Sequence, residues 1–394
     1  MWRPQEQQDS AMFPVLFDEL VVEILSCSSV KSLMRFKCAC MYWNTLISSP
    51  SFIKLHLQRS TENYNFDNLQ IMLKSSFTYF RELYQVSHSV RSLLDSPMPN
   101  AVHDLRYRIS DGFGVVGSCN GLICLVSVNL IRHFHNMFPR QPTGYLWNLT
   151  TRLRSQPLPC FHVDWRRLVY TRFGFGHDRI NNAYKVVAVH YVYDSSQSQK
   201  SEVEIYSTGE GSWRQLPSFP NVVINNDGGL YLNGFTYWAT VRDPTNNSQV
   251  IIVSFDLERE TCTQILLPPA VAHDHVEPTL VAFKDHLCVW QNNNGTHLVI
   301  WQMKEHRFQQ SWIQLMNVSY FDIRMNGLES VTFIPLCIFR NGDILMLSRD
   351  VDVQWRLILW NRRNGIIQHS RIRTNGYVSD LNPKVFVKSL VSPR

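Results

Sequence analysis

"VEIYSTGEGSWRQLPSFP" (203–220) is the most informative phrase in this chain. An apolar run closes on an aromatic residue, Tyr206, a polar glycine-bearing turn follows, and the chain descends through Trp213 to a Leu-Pro. Short apolar runs bounded by turn residues are the mark of strands. The same phrase recurs as "GYLWNLTTRLRSQPLP" (144–159), "IIVSFDLERETCTQILLPP" (251–269), "LVIWQMKEHRFQQSWIQL" (298–315) and "LILWNRRNGIIQHSRI" (357–372).

Aligning the aromatic anchors Trp147, Tyr206, Phe255, Trp301 and Trp360 gives spacings of 46 to 59 residues. That brackets the kelch period of ~50. Upstream of the anchors lie partner runs, "NGLICLV" (120–126), "YKVVAVHYV" (184–192), "GLYLNGFTYWAT" (229–240), "HLCVW" (286–290) and "GDILMLS" (342–348). Each repeat therefore supplies several antiparallel strands of period two. Radial repetition of such units leaves only short protected edges, which predicts a β-propeller. A large β-sandwich with coincidental spacing is the alternative.

Ahead of this region the periodicity is helical. In "FDELVVEILSC" (17–27), Asp18 stands at a cap or in the first turn, and Leu20, Val21, Ile24 and Leu25 share one face. Ser28 and Ser29 break the run, and two further short apolar faces follow, Val30–Phe36 and Trp43–Ile47, the last stopping before Pro50. The expected organisation is a tail (1–11), a three-helix unit (12–57), a linker (58–79) and a large all-β domain (80–390), an α+β multidomain chain. Three short helices bury little by themselves, so some of their apolar side chains are expected to meet a partner.

Composition narrows the function. Hydrophobic residues are 44% and charged residues 18% of 394, an ordinary globular balance. Net charge is +6, but the basic residues are scattered, with Arg166-Arg167 and Arg362-Arg363 the densest pairs, so no nucleic-acid partner is expected. No run of 18 apolar residues and no signal-like start occurs, so no membrane partner is expected and the protein is placed in the cytoplasm or nucleus. Nine cysteines, an odd number, several in apolar runs, fit reduced thiols better than a disulfide framework.

Sites of chemistry are sparse. Cys38 and Cys40 in "KCAC" lack the two-pair spacing of structural zinc, and "HFH" (133–135) and "HDH" (273–275) have no third ligand nearby, so no metal and no cofactor is expected. No G-x-x-x-x-G-K-[ST], G-x-S-x-G or H-E-x-x-H occurs. Trp165, Trp238 and Trp290 would stack sugars if exposed on one face, but their place inside strands favours core.

Residues 16–57, "LFDELVVEILSCSSVKSLMRFKCACMYWNTLISSPSFIKLHL", resemble an F-box. "GSCNGLICL" (117–125), "LWNLTTR" (146–152), "FGFGHD" (173–178), "YKVV" (184–187), "SWRQLP" (212–217), "LNGFTYW" (232–238) and "SFDLERE" (254–260) resemble, in order, the F-box-associated domain of plant F-box/kelch-repeat proteins. The resemblance implies a non-catalytic substrate receptor of a Skp–cullin–F-box ubiquitin ligase. The F-box would hold a Skp-type adaptor and through it cullin, and the β domain would select a protein substrate through residues the sequence does not identify. An interaction or carbohydrate-binding propeller with a disengaged F-box is the alternative. Carried over by position, Leu16, Leu20, Ile24, Leu25, Val30 and Leu33 are the adaptor-facing candidates, with Phe36 and Trp43 bracing the helices or joining that surface. The family's two Leu-Pro pairs are replaced by Leu16-Phe17 and Ser28-Ser29. A Ser28 hydroxyl buried without a partner would cost ~1–3 kcal/mol and weaken docking.

Overall fold

A computed structural model describes residues 17–62, 68–76, 83–95, 106–107, 113–127, 144–164, 166–193, 199–217, 219–220, 222–224, 228–241, 250–272, 278–293, 295–324, 330–350, 355–372 and 383–393. The chain divides into a helical unit, 1–63, and a β unit, 64–394. The histidine pairs 133–135 and 273–275, Leu16 and Trp165 lie outside the described residues.

The helical unit holds four helices rather than three: α1 (Asp18–Ser26), α2 (Val30–Phe36), α3 (Met41–Ser48) and α4 (Pro50–Glu62). The third helix stops before Pro50 as expected, and Pro50 itself starts α4. Proline suits the first turn of a helix, where its missing N–H has no intrahelical partner and its fixed φ is already helical. Phe52 N–H donates to Ser49 Oγ at 3.3 Å, which covers one of the orphan donors there. Half of the stretch expected as linker is thus structured, because α4 runs through Glu62 and a strand occupies Leu69–Ser76.

In the β unit the described residues form six antiparallel sheets. Sheet I joins β1 (Leu69–Ser76), β2 (Leu83–Ser89), β3 (Arg106–Tyr107) and β25 (Lys384–Val387) in the order β25-β1-β2-β3. Sheet II comprises β4 (Phe113–Cys119), β5 (Leu122–Ser127), β6 (Gly144–Asn148) and β7 (Leu153–Arg154). Sheet III comprises β8 (Leu168–Asp178), β9 (Ala183–Tyr193), β10 (Gln199–Ser207) and β11 (Trp213–Leu216). Sheet IV has β12 (Val223–Ile224), β13 (Leu230–Leu232), β14 (Phe235–Val241), β15 (Val250–Asp256) and β16 (Thr261–Leu266), β12 and β13 both pairing with β14. Sheet V comprises β17 (Thr279–Phe283), β18 (His286–Asn293), β19 (His297–Met303) and β20 (Trp312–Ser319). Sheet VI comprises β21 (Ser330–Ile338), β22 (Ile344–Asp350), β23 (Trp355–Trp360) and β24 (Ile367–Ile372).

The first strands of successive sheets are neighbours: β4 lies beside β8, β8 beside β13 and β14, these beside β17, β17 beside β21, β21 beside β25, and β25 beside β4. That circuit is the closed ring of a β-propeller. The sandwich alternative is excluded, since no two sheets form a face-to-face pair that stands apart from the rest.

The apolar core lies between neighbouring sheets. Ile344, Met346 and Ile358 of sheet VI pack toward sheet V, while Leu345, Leu347, Leu357 and Leu359 pack toward sheet I. Middle strands are therefore buried on both faces; all seven residues of β15 are. The period-two pattern expected of every strand does not hold for them, because neither face meets water.

All five aromatic anchors sit on the third strand of their sheets, β6, β10, β15, β19 and β23. After four of them a short polar residue closes the turn into the fourth strand. Asn148 Oδ1 accepts from Thr150 and Thr151 N–H, Ser207 Oγ from Gly209 N–H, Asp256 Oδ1 from Glu258 and Arg259 N–H, and Asn361 Oδ1 from Arg363 and Asn364 N–H. Such Asx and Ser turns fix the register of the fourth strand. Sheet I carries no anchor phrase: residues 90–105, with a helix at Val90–Asp95, separate its third and fourth strands, and its first strand comes from the other end of the chain.

Candidate functional site

The helical unit is braced from within. α4 is clasped to the C-terminal end of α1 by Arg59, whose guanidinium meets Glu23 Oε2 at 2.6 Å and donates to Ser26 Oγ and Cys27 Sγ at 2.5 and 3.3 Å. One residue-turn earlier, His56 Nε2 lies 3.0 Å from Ser28 O, and burial pushes this imidazole's pKa down. The neutral ring therefore donates Nε2–H to the carbonyl. Phe36 and Trp43 meet edge-to-face at 5.3 Å between centroids and join α2 to α3. Tyr42 donates its hydroxyl to Asp18 Oδ1 at 2.7 Å, which ties the start of α3 to the start of α1 and raises the phenol pKa.

This bracing sorts the expected docking residues into two sets. Leu25, Val30 and Leu33 are 3%, 1% and 0% exposed and form the unit's own core with Ile47 and Phe52. They correct the expectation that they face a partner: four helices, one more than expected, give them a place to be buried. Phe36 and Trp43 are half-buried and act as braces. Leu20 and Ile24 remain outside, 49% and 58% exposed.

Phe17, at the α1 N-cap position, is 73% exposed and falls on the same side as Leu20 and Ile24 by its i, i+3, i+7 spacing. Met34, Met41 and Tyr42 add exposed apolar surface from α2 and α3, Met41 at 81%. The Tyr42–Asp18 bond brings the α3 start against the α1 start. Sequence reasoning passed over Phe17, Met41 and Tyr42. Phe17 was legible as a large apolar residue placed where a helix N-cap wants Ser, Thr, Asp or Asn, and it makes no side-chain cap bond.

Ser28 and Ser29 are not defects in this arrangement. Ser29 is the N-cap of α2, its Oγ accepting Ser32 N–H at 3.1 Å, and Ser28 Oγ donates to Ile24 O at 3.1 Å. The expected penalty for an unpartnered Ser28 hydroxyl does not arise. Cys40 caps α3, its Sγ accepting Trp43 N–H, and both Cys38 and Cys40 are exposed thiols. In the β unit Trp238 and Trp290 are 1% and 3% exposed, with Trp238 Nε1 donating to Phe173 O, so neither presents a face for stacking.

Comparison with known proteins accounts for both units. The profile described as "F-box domain" matches residues 13–55, and that described as "F-box associated beta propeller domain" matches residues 72–392, most of the chain. The chain belongs to the F-box-associated β-propeller family. An F-box/kelch-repeat protein of Arabidopsis thaliana is 29% identical over 382 residues, covering 95% of each chain. F-box protein CPR1 of the same plant is 27% identical over 325 residues, covering 76% of this chain and 72% of its own. Among solved structures a fucose-specific lectin from Aleuria aurantia aligns at 11% identity and a TM-score of 0.44, covering 80% of this chain and 94% of the lectin. The exposed apolar region of α1 and α3 therefore lies within the F-box, and the six sheets make up the F-box-associated propeller.

Proposed function

We propose that this protein is the substrate-receptor subunit of a Skp–cullin–F-box ubiquitin ligase. Its F-box would dock a Skp-type adaptor, and through it cullin, while the propeller selects the protein to be modified in the cytoplasm or nucleus. It would contribute no catalytic group, acting by raising the local concentration of substrate beside the ubiquitin-conjugating enzyme. The observation that carries this reading is the run of large apolar side chains, Phe17, Leu20 and Ile24, left in water along one side of α1 although the unit has a closed core of its own. Helix-in-groove docking uses such i, i+3, i+7 anchors.

The test is co-purification of the intact chain with a Skp-type adaptor, followed by titration of purified adaptor. Ile24→Asp removes a contact worth ~1.5–3 kcal/mol and adds a carboxylate to be desolvated, so binding should fall roughly a hundredfold or more. Ile180→Asp, on an exposed propeller turn, should change nothing. Undiminished binding by Ile24→Asp would remove this face from the reading. Sugar binding gains no support from Trp238 or Trp290, whose indoles are in the core.

A further inference from the structure

The Arg362-Arg363 pair belongs to an unusual stretch. Between Asp352 and Asp380 the sequence has five arginines, Arg356, Arg362, Arg363, Arg371 and Arg373, and no carboxylate. Several arginines elsewhere are matched with acids: Arg59 with Glu23, Arg167 with Glu202, Arg179 with Glu258, Arg214 with Glu260 and Arg307 with Asp256. Arg340, Arg362, Arg363 and Arg371 are exposed, and among the described residues none of them has a carboxylate within ion-pair distance.

The fold gathers these cations instead of dispersing them. The β23–β24 turn, with Arg362 and Arg363, is latched to the β21–β22 turn, with Arg340, by Asp343. That carboxylate accepts Arg362 N–H at 3.0 Å and the Asn341 and Asn361 amides at 2.7 and 3.4 Å. Asp343 is itself buried and spent on these donors, so it holds the turns together from beneath. Gly342, at φ +90, leaves room for the Arg362 side chain: a Cβ there would lie 2.6 Å from Arg362 Cδ. Farther along the hairpin Arg356 and Arg371 stand directly opposite one another, with His369 two residues along on the same face.

Edge protection does not explain the pattern. Charged residues do keep outer strands from pairing, and β3, β7 and β11 carry one arginine each as β24 does, but Arg340, Arg362 and Arg363 stand in turns outside any strand, where that role does not apply. Exposed cations on a preorganised pair of turns, beside β24, which among the described residues is the outer strand of its sheet, are suited to an anionic chain laid along that edge. Guanidinium–carboxylate bonds would supply the charge match, and the strand edge would pair with an extended backbone. Nucleic acid is the weaker fit, because the two tryptophans of β23 are not presented for base stacking: Trp355 is 7% exposed and Trp360 packs on the core shared with sheet V.

We propose that the β23–β24 hairpin, with the adjoining β21–β22 turn, is a docking edge for a carboxylate-rich, extended segment of a protein partner. This rests on the reading of the propeller as the partner-selecting unit. The test is fluorescence anisotropy of the full chain with a labelled ten-residue peptide of alternating glutamate and serine, with labelled oligothymidine of equal charge in parallel. The peptide should bind more tightly than the oligonucleotide, and its affinity should fall as salt rises. Arg362→Glu with Arg363→Glu should weaken it at least tenfold, as should Arg363→Glu with Arg371→Glu, whereas Lys54→Glu on α4 should leave it unchanged. Circular dichroism and thermal midpoints certify the fold of each variant. No peptide binding, equal binding by both folded double variants, or tighter binding of oligothymidine would overturn the proposal. Adaptor co-purification is independent of this edge. A chain that takes the adaptor but not the peptide would refute only the docking edge, and one that takes the peptide but not the adaptor would refute only the ligase reading.

Discussion

Ser28, Ser29 and His56 form one small device at the α1–α2 junction. The F-box family's proline is absent, but a helix boundary needs only that the first N–H groups be satisfied and the preceding residue be extended. Ser29 meets both needs, with φ −65 and ψ 149 and its Oγ on Ser32 N–H. Ser28 keeps its hydroxyl on Ile24 O and offers its own carbonyl to His56. His56 is 2% exposed, stacks on Phe52 and has no partner at Nδ1 among the described residues, so protonation would place a cation in an apolar site with one new donor unsatisfied. Its pKa is accordingly depressed by burial in the folded chain. With the folded pKa below the ordinary ~6.5, the unfolded chain takes up the proton first as the medium is acidified. The contribution of neutral His56 is then fully present above about pH 6.5 and is lost as the pH falls from there toward the folded value. Ring NMR of His56 in the intact chain should show a titration midpoint below 6.5; a midpoint at or above that value would mean the ring is open to water. None of this was legible in the sequence, where two serines in place of Leu-Pro read as a loss.

At the scale of elements, the readable features were those in which a local signal and the tertiary role coincide. An aromatic followed by Asn, Ser or Asp marks the end of a third strand because the same polar side chain that ends the run also builds the next turn. That coincidence holds at Trp147-Asn148, Tyr206-Ser207, Phe255-Asp256 and Trp360-Asn361, and it fails at Trp301, whose strand continues to Met303 and enters a longer turn containing a 3₁₀ segment. Pro50 correctly marked the end of α3 but hid the start of α4, because the same residue can stop one helix and start another. The exposed apolar side of α1 was legible only in part: Leu20 and Ile24 follow from spacing, whereas Leu25, Val30 and Leu33 needed the fourth helix to show that they are core. The Asx turn of sheet II does a second job that predicts a large mutational effect. Asn148 is 0% exposed, and while Oδ1 takes Thr150 and Thr151 N–H, its Nδ2 donates to Ser389 O and Val391 O at 3.0 and 2.8 Å. Asn148→Leu keeps the volume but orphans two buried carbonyls, for about 2–4 kcal/mol in denaturant unfolding. Ser207→Ala, which gives up the bond from Gly209 N–H in an exposed turn, should cost under ~1 kcal/mol. Equal losses at the two positions would show that the tail contact adds nothing.

At the scale of the whole β unit, ring closure depends on a strand from the far end of the chain. β25 pairs with β1 in register from Leu69↔Val387 to Met72↔Lys384, so sheet I is stitched from residues near 70 and residues near 386. The tail beyond it continues the seam onto sheet II. Ser118 Oγ donates to Val385 O at 2.9 Å, Ser389 Oγ donates to Asn120 O at 2.7 Å, and Gly121, at φ +79, allows the approach, since a Cβ there would lie 2.3 Å from Ser389 Oγ. A chain ended after Pro383 loses the burial of Phe386, Val387, Leu390 and Val391, each under a tenth exposed. At ~1.5–3 kcal/mol per side chain that is about 6–12 kcal/mol, comparable with the 5–15 kcal/mol that a whole domain has in hand. The same cut strips β1 of one of its two strand partners and uncovers Leu69, Ile71 and Met72, now buried, on that side. The truncated protein should therefore show no cooperative thermal transition of its β unit and should be cleaved rapidly by protease, whereas the full chain resists. Should it instead melt within a few degrees of the full chain, the ring would be held by its sheet-to-sheet packing alone, and β25 would be an accessory rather than the closing strand.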